Sequence, residues 1–134
     1  VLVLLAVPNL IAGTWALLAP ADWFEEFPRW GPALVAALPP YNEHLVTDAG
    51  AGLFAAGVLA LLAAWWLRRD VVITAMVGYL AFAAPHAIFH LANPSDLLTT
   101  GEDVANTLTL IVAVVAAGAV LTVAWRAEPE GSTA

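Results

Sequence analysis

The sequence predicts an all-α integral membrane protein: a four-helix bundle with a short interfacial helix in its first outer loop. Three observations carry this expectation. Of 134 residues, 62% are hydrophobic and only 11% charged, with mean hydropathy +0.86, whereas soluble domains carry roughly 25% charged residues. Four apolar stretches are long enough to cross a hydrocarbon core, which takes ~20 residues. The three histidines and most carboxylates sit at the ends of these stretches. Segments that cross lipid must be helical, because an open strand leaves backbone groups unpaired there.

The first span runs from Val1 to Ala19. It opens inside an apolar run, which suggests a trimmed N-terminus. Its length and its want of a basic leader here read as a membrane helix rather than a signal peptide. Asn9 and Thr14 within it are expected to hydrogen-bond to other helices.

The loop from Pro20 to Asn42 carries Trp23, Phe24, Phe27 and Trp30, which suit the headgroup layer. Asp22 is placed to cap a short helix. Pro28, Gly31 and Pro32 break the segment, Ala33 to Leu38 is apolar again, and Pro39-Pro40 ends it. The loop reads as a lid over the outer end of the bundle; the plainer alternative is an interfacial anchor.

The second span runs from about Glu43 to Leu67, with Asn42 as its cap and Glu43 complementing the positive helix end. It is rich in small residues: Ala49, Gly50, Gly52, Ala56, Gly57 and Ala60. Gly50 and Gly57 lie two turns apart on one face. Close helix packing explains them; a flat slot for a cofactor is the alternative. Arg68-Arg69-Asp70 makes a tight hairpin to the third span, about Val71 to Leu91. Pro85 within that span lacks an amide hydrogen and is expected to kink it. The fourth span runs from about Asp103 to Trp125, and Thr100 with Asp103 fits a capping box. One transmembrane domain, 1–126, is followed by a polar tail, 127–134, expected to fray.

Arg68, Arg69 and Arg126 lie at one end of this arrangement and Arg29 at the other. By the positive-inside rule the termini face the cytoplasm, and the histidine end faces outward from a bacterial cytoplasmic membrane. The net charge of −7 leaves no basic surface for nucleic acid. The absence of cysteine removes disulfides, thiolate metal sites and nucleophilic thiol chemistry. The bilayer is therefore the principal partner, together with subunits of a larger membrane complex if the chain is an accessory.

Ionisable side chains are costly in lipid and mark candidate sites. His44 and Asp48 are four residues apart, as are His86 and His90, so each pair shares a helix face. Topology brings both pairs, and Asp103, to the outer end. Asp48 and His86 would lie ~6 Å deeper than His44 and His90, given a rise of ~1.5 Å per residue. The expected site is a divalent transition metal, zinc, iron, manganese or copper, held by His44, Asp48, His86 and His90. Glu43, Asp103 and Asn106 would stand behind these ligands.

The segments Pro40-Tyr41-Asn42-Glu43-His44-Leu45-Val46-Thr47-Asp48-Ala49-Gly50 and Pro85-His86-Ala87-Ile88-Phe89-His90 resemble those of uncharacterised short four-helix membrane proteins of high-GC bacteria. The build resembles the DoxX-like group of small membrane proteins. The resemblance implies the architecture; it implies no activity, since fold does not give function.

Three other functions compete. A haem could take one histidine from each of two helices, but Arg29 is the single basic residue near its propionates. A metal-free enzyme on a lipid or isoprenoid would use His86 and Asp48 as acid and base. An accessory subunit would need the polar cluster only to lock its helices.

Overall fold

The structure, a computed structural model, describes residues 1–127. Among them are five α-helices and no strand: α1 Leu2–Leu18, α2 Pro20–Glu26, α3 Glu43–Trp66, α4 Arg69–Ala92 and α5 Thr100–Arg126. All of the expected polar tail beyond Ala127 lies outside the described residues. By length and composition, α3, α4 and α5 suffice to cross a membrane. At 17 residues, α1 is shorter, at the lower end of the ~17–25 that span.

The long helices run antiparallel in succession. Leu10 lies against Gly57 and Ala16 against Gly50, which fixes α1 against α3. Phe82 lies at Gly52 and Leu59 at Gly78, which fixes α3 against α4. The Arg69 guanidinium donates to the carbonyls of Ala124 and Trp125 at 3.2 and 3.1 Å, while Asn106 meets His90 at the far end of α4 and α5. A small contact between α5 and α1 completes the circuit. The α3 start, the α4 end and the α5 start thus share one end of the molecule.

Small residues make the closest of these contacts. A Cβ on Gly13 would collide with the Phe54 amide nitrogen and come within 2.8 Å of the Gly50 carbonyl oxygen; one on Gly57 would come within 2.8 Å of the Leu10 amide nitrogen. Both obstacles are backbone, so no side chain can yield. The α1 and α3 backbones therefore touch, and Ala6, Ala16, Ala56, Ala60 and Ala63 fill the seam. Deeper in, Met76 is the one large side chain fully buried among the described residues. Large apolar groups point the other way: Leu4, Ile11, Leu18, Val112 and Trp125 are exposed. Asn9 donates to the Tyr79 hydroxyl at 3.1 Å, linking α1 to α4 as expected of an interhelical polar residue. Thr14 instead lies on the exposed side of α1.

Several helix ends differ from expectation. Asn42 caps α3 by accepting from the Leu45 amide at 3.1 Å, as its sequence position predicts. The α5 capping box is Thr99 with Glu102, one residue earlier than Thr100 with Asp103. Glu102 has the reach to accept from the Thr99 amide at 2.9 Å and hydroxyl at 2.8 Å, and Asp103 is released to accept from the Ser95 amide at 3.4 Å. Asp22 does not cap α2, where Pro20 occupies the first turn instead. Its carboxylate accepts from the Trp15 indole at 2.6 Å and from Arg29 at 2.9 Å. Arg29 also lies over the Trp15 ring at 4.7 Å. This grip holds Arg29 at φ 80, a conformation that costs a side-chain-bearing residue free energy. Toward the histidine end α4 continues through Pro85 as helix.

The loop packs down on the end that holds the histidines. Trp23 is buried against Ala16 and Val46, flanked by Phe24, Phe27 and Val35. Its indole N–H has no hydrogen-bond partner among the described residues, so shape alone holds it. The Ser95 hydroxyl donates to the Ala37 carbonyl and ties the loop to the α4–α5 connection. Trp30 points outward, 85% exposed.

The seam predicts a contrast between glycines. Gly13→Ala should destabilise the fold by about 1–3 kcal/mol, the usual cost of overpacking. Gly118→Ala, where a Cβ meets nothing within 4 Å, should be neutral or stabilise by up to about 1 kcal/mol. Denaturant unfolding in detergent, followed by helical circular dichroism, measures both; equal effects would contradict the seam.

Candidate functional site

The site is built on α4. Residues 82, 86 and 90 recur at one-turn spacing, so Phe82, His86 and His90 form a column. The Phe82 and His86 rings stack with centroids 5.7 Å apart, and His86 meets His90 edge-on at 4.9 Å. Phe82 rests on Gly52 of α3, which sets the column's inner end. At the outer end Asn106 Nδ2 lies 3.4 Å from His90 Nδ1, and Asp103 is near enough to act on His90 electrostatically. Both imidazoles are half-buried.

The amide of Asn106 decides what His90 offers. With its nitrogen toward Nδ1, it donates and makes Nδ1 the acceptor. Turned over about its last torsion, it presents oxygen, accepts from Nδ1–H and leaves Nε2 with a free lone pair. The two orientations are nearly equivalent in shape. Second groups of this kind commonly fix the tautomer of a ligating histidine.

The other expected ligands form a separate pair. His44 Nε2 lies 3.4 Å from Asp48 Oδ2, with side chains 82% and 64% exposed. Among the described residues no three His, Asp or Glu side chains come together as a metal-holding group. The expected four-ligand set is therefore two pairs, His44 with Asp48 on α3 and His86 with His90 on α4. Asp48 has His44, and not His86, as its partner. The reason is azimuthal. Val46 and Gly50 turn inward toward α1 and the loop, and two residues along a helix is a turn of about 160° to the other side. Packing on α1 thus turns His44 and Asp48 outward.

Glu43 opens α3 at the surface and acts on Tyr41 rather than on a histidine. Tyr41 packs edge-on against Phe24 at 5.2 Å. Desolvation, then the charges of Glu43 and Glu25, push its phenol above the ordinary value. Sequence reasoning missed Ser95, whose amide and hydroxyl join Asp103 to the loop; its place in the Asn93-Pro94-Ser95 turn was the available signal. Tyr79 and Arg69 were also missed as interhelical donors and acceptors, because nothing local marks their partners.

No family model, curated protein or solved structure matches the chain.

The His90–Asn106 contact is checked by imidazole nitrogen resonances. Asn106→Ala should move the His90 ring signals and leave those of His44 in place. An unshifted His90 would contradict the contact.

Proposed function

We propose that this chain is a small integral membrane protein that binds a divalent transition metal ion through His86 and His90. On this reading all four long helices span a bacterial cytoplasmic membrane as a four-helix bundle, with both termini inside and the histidines at the outward end. One observation supports membrane insertion above the rest: small residues line the interior while large apolar side chains face out. Water would make that surface an aggregation hazard. Lipid makes it ordinary, because helices in a bilayer associate through close van der Waals packing of small residues.

The observation that carries the metal reading is the His86–His90 pair, one turn apart, half-buried and already in ring contact. Two imidazoles at this spacing can address one ion at Zn–N distances of about 2.0–2.1 Å. Asn106, by accepting from Nδ1–H of His90, would orient Nε2 toward it. Two protein ligands leave positions for water or a substrate group, and an open position is what a reactive ion needs and a purely structural one lacks. A bound ion would act as a Lewis acid there. Asp103 would add negative charge nearby, favouring a cation at this end.

Metal titration of the detergent-purified, metal-stripped protein tests this. One equivalent of zinc should bind, more weakly toward acid as protons compete for the imidazoles. His86→Ala and His90→Ala should abolish stoichiometric binding. Asn106→Ala should weaken it about 10-fold or more, and His44→Ala should leave it unchanged. Undiminished binding in the His86→Ala, His90→Ala double variant, or none in the wild type, would overturn the reading.

A further inference from the structure

We infer that residues 30–40 form a flap across the mouth of the bundle, latched at its tip by Ser95, and that its opening controls access to His86 and His90. The inference rests on the metal reading of that pair for its purpose, and its test runs without metal.

The pair faces the interior. Met76 and Tyr79 of α4 are buried in the core. Seven residues make nearly two full turns, so His86 stands on the side of Tyr79, and His90 follows one turn later. Both imidazoles are half-buried, whereas the His44 side chain at the same end is 82% exposed.

The flap stands on two feet and reaches over to one tip. At the first foot Arg29 grips Asp22 at 2.9 Å and lies over the Trp15 ring. At the second, Tyr41 packs against Phe24 of α2. Between them the segment bonds to itself: the Ala37 amide donates to the Ala33 carbonyl at 3.1 Å and the Leu38 amide to the Val35 carbonyl at 3.0 Å, while the Leu34 amide donates to the Phe27 carbonyl at 2.9 Å. Those bonds let it move as one piece. Its tip meets the α4–α5 connection, where the Ser95 hydroxyl donates to the carbonyl of buried Ala37. Ser95 is itself held from the far side, accepting from the Leu97 amide at 3.2 Å and donating its own amide to Asp103 at 3.4 Å. Asp103 and Asn106, the partner of His90, lie three residues apart on α5, so the latch and the site share one helix start.

The flap is poised to open at the tip. Each foot is held by an aromatic contact, the first by an ion pair as well; among the described residues the tip's side-chain hydrogen bond is that of Ser95 alone. The closed state also carries a defect. Val35 packs against Trp23, whose buried indole N–H has no partner among the described residues. A buried donor without an acceptor forfeits the hydrogen bond that water would give it. Lifting Val35 away lets water reach that N–H, so opening breaks one hydrogen bond and makes another.

The test follows acylation of the three histidines by diethyl pyrocarbonate in the full, metal-stripped chain in detergent, mapped by mass spectrometry. In the wild type His44 should react fast, and His86 and His90 more slowly. Where a site reacts through local opening, its rate tracks the open population. Ser95→Ala should therefore speed His86 and His90 about five-fold, the weight of one ordinary hydrogen bond, and leave His44 unchanged. Ser95→Thr, which keeps the hydroxyl, should restore the slow rates. Thr109→Ala removes a hydroxyl-to-carbonyl bond within α5 and should alter none of them. Equal His86 and His90 rates in the wild type and Ser95→Ala, or wild-type rates matching that of His44, would overturn the flap. Failure of the wild type to bind zinc overturns the metal reading and leaves this result to judge the flap by itself.

Discussion

Backbone contact between α1 and α3 sets the rest of this molecule. Gly13 and Gly57 let the two helices approach until a single added carbon would strike main chain, and one on Gly50 would strike the Ala16 Cβ. Such contact fixes both the distance between the helices and their rotation. The rotation has the larger consequences. It turns Val46 inward under Trp23, and it carries His44 and Asp48 to the other side of α3. The aromatic loop then has one place to pack, over the end of the α1–α3 pair, and Ser95 fastens its far edge to the α4–α5 connection.

The second half of the molecule obeys a different logic. Antiparallel packing of α4 on α5 is pinned at each end by a polar contact, Arg69 on the α5 carbonyls and His90 on Asn106. Those contacts are worth more where water is scarce, since a lost partner leaves a polar group unsatisfied. The His86–His90 column lies on the same helix: two half-buried imidazoles are kept together and flanked on one side by Phe82.

The helical plan was legible because periodicity is not needed to find a span: length and apolarity suffice. Gly50 and Gly57 announced a packed face through their two-turn spacing. Their partners, Gly13 and Ala16, did not, because a sequence names a face without naming what covers it. The His86–His90 pair was legible for the same local reason, being set by one helix alone. The separation of His44 and Asp48 from the α4 pair was not, because it depends on how α3 is rotated against α1, which no single segment encodes. The α5 cap shows the limit at finer scale. Thr99-Thr100-Gly101-Glu102-Asp103 offers the same three-residue spacing in two registers, and the longer reach of glutamate selects the earlier one.

The absence of cysteine makes a direct geometric test clean. An added Cβ at Gly50 falls beside the Ala16 Cβ, and disulfides form where Cβ atoms lie about 3.5–4.5 Å apart. Oxidation of an Ala16→Cys, Gly50→Cys double variant in membranes should therefore cross-link α1 to α3 within one chain once the two Cβ atoms part from 2.8 Å by roughly one ångström. An Ala16→Cys, Asp48→Cys pair, on the opposite side of α3, should not cross-link. Rapid cross-linking of the second pair and none of the first would contradict the rotation on which the placement of every polar side chain at that end depends.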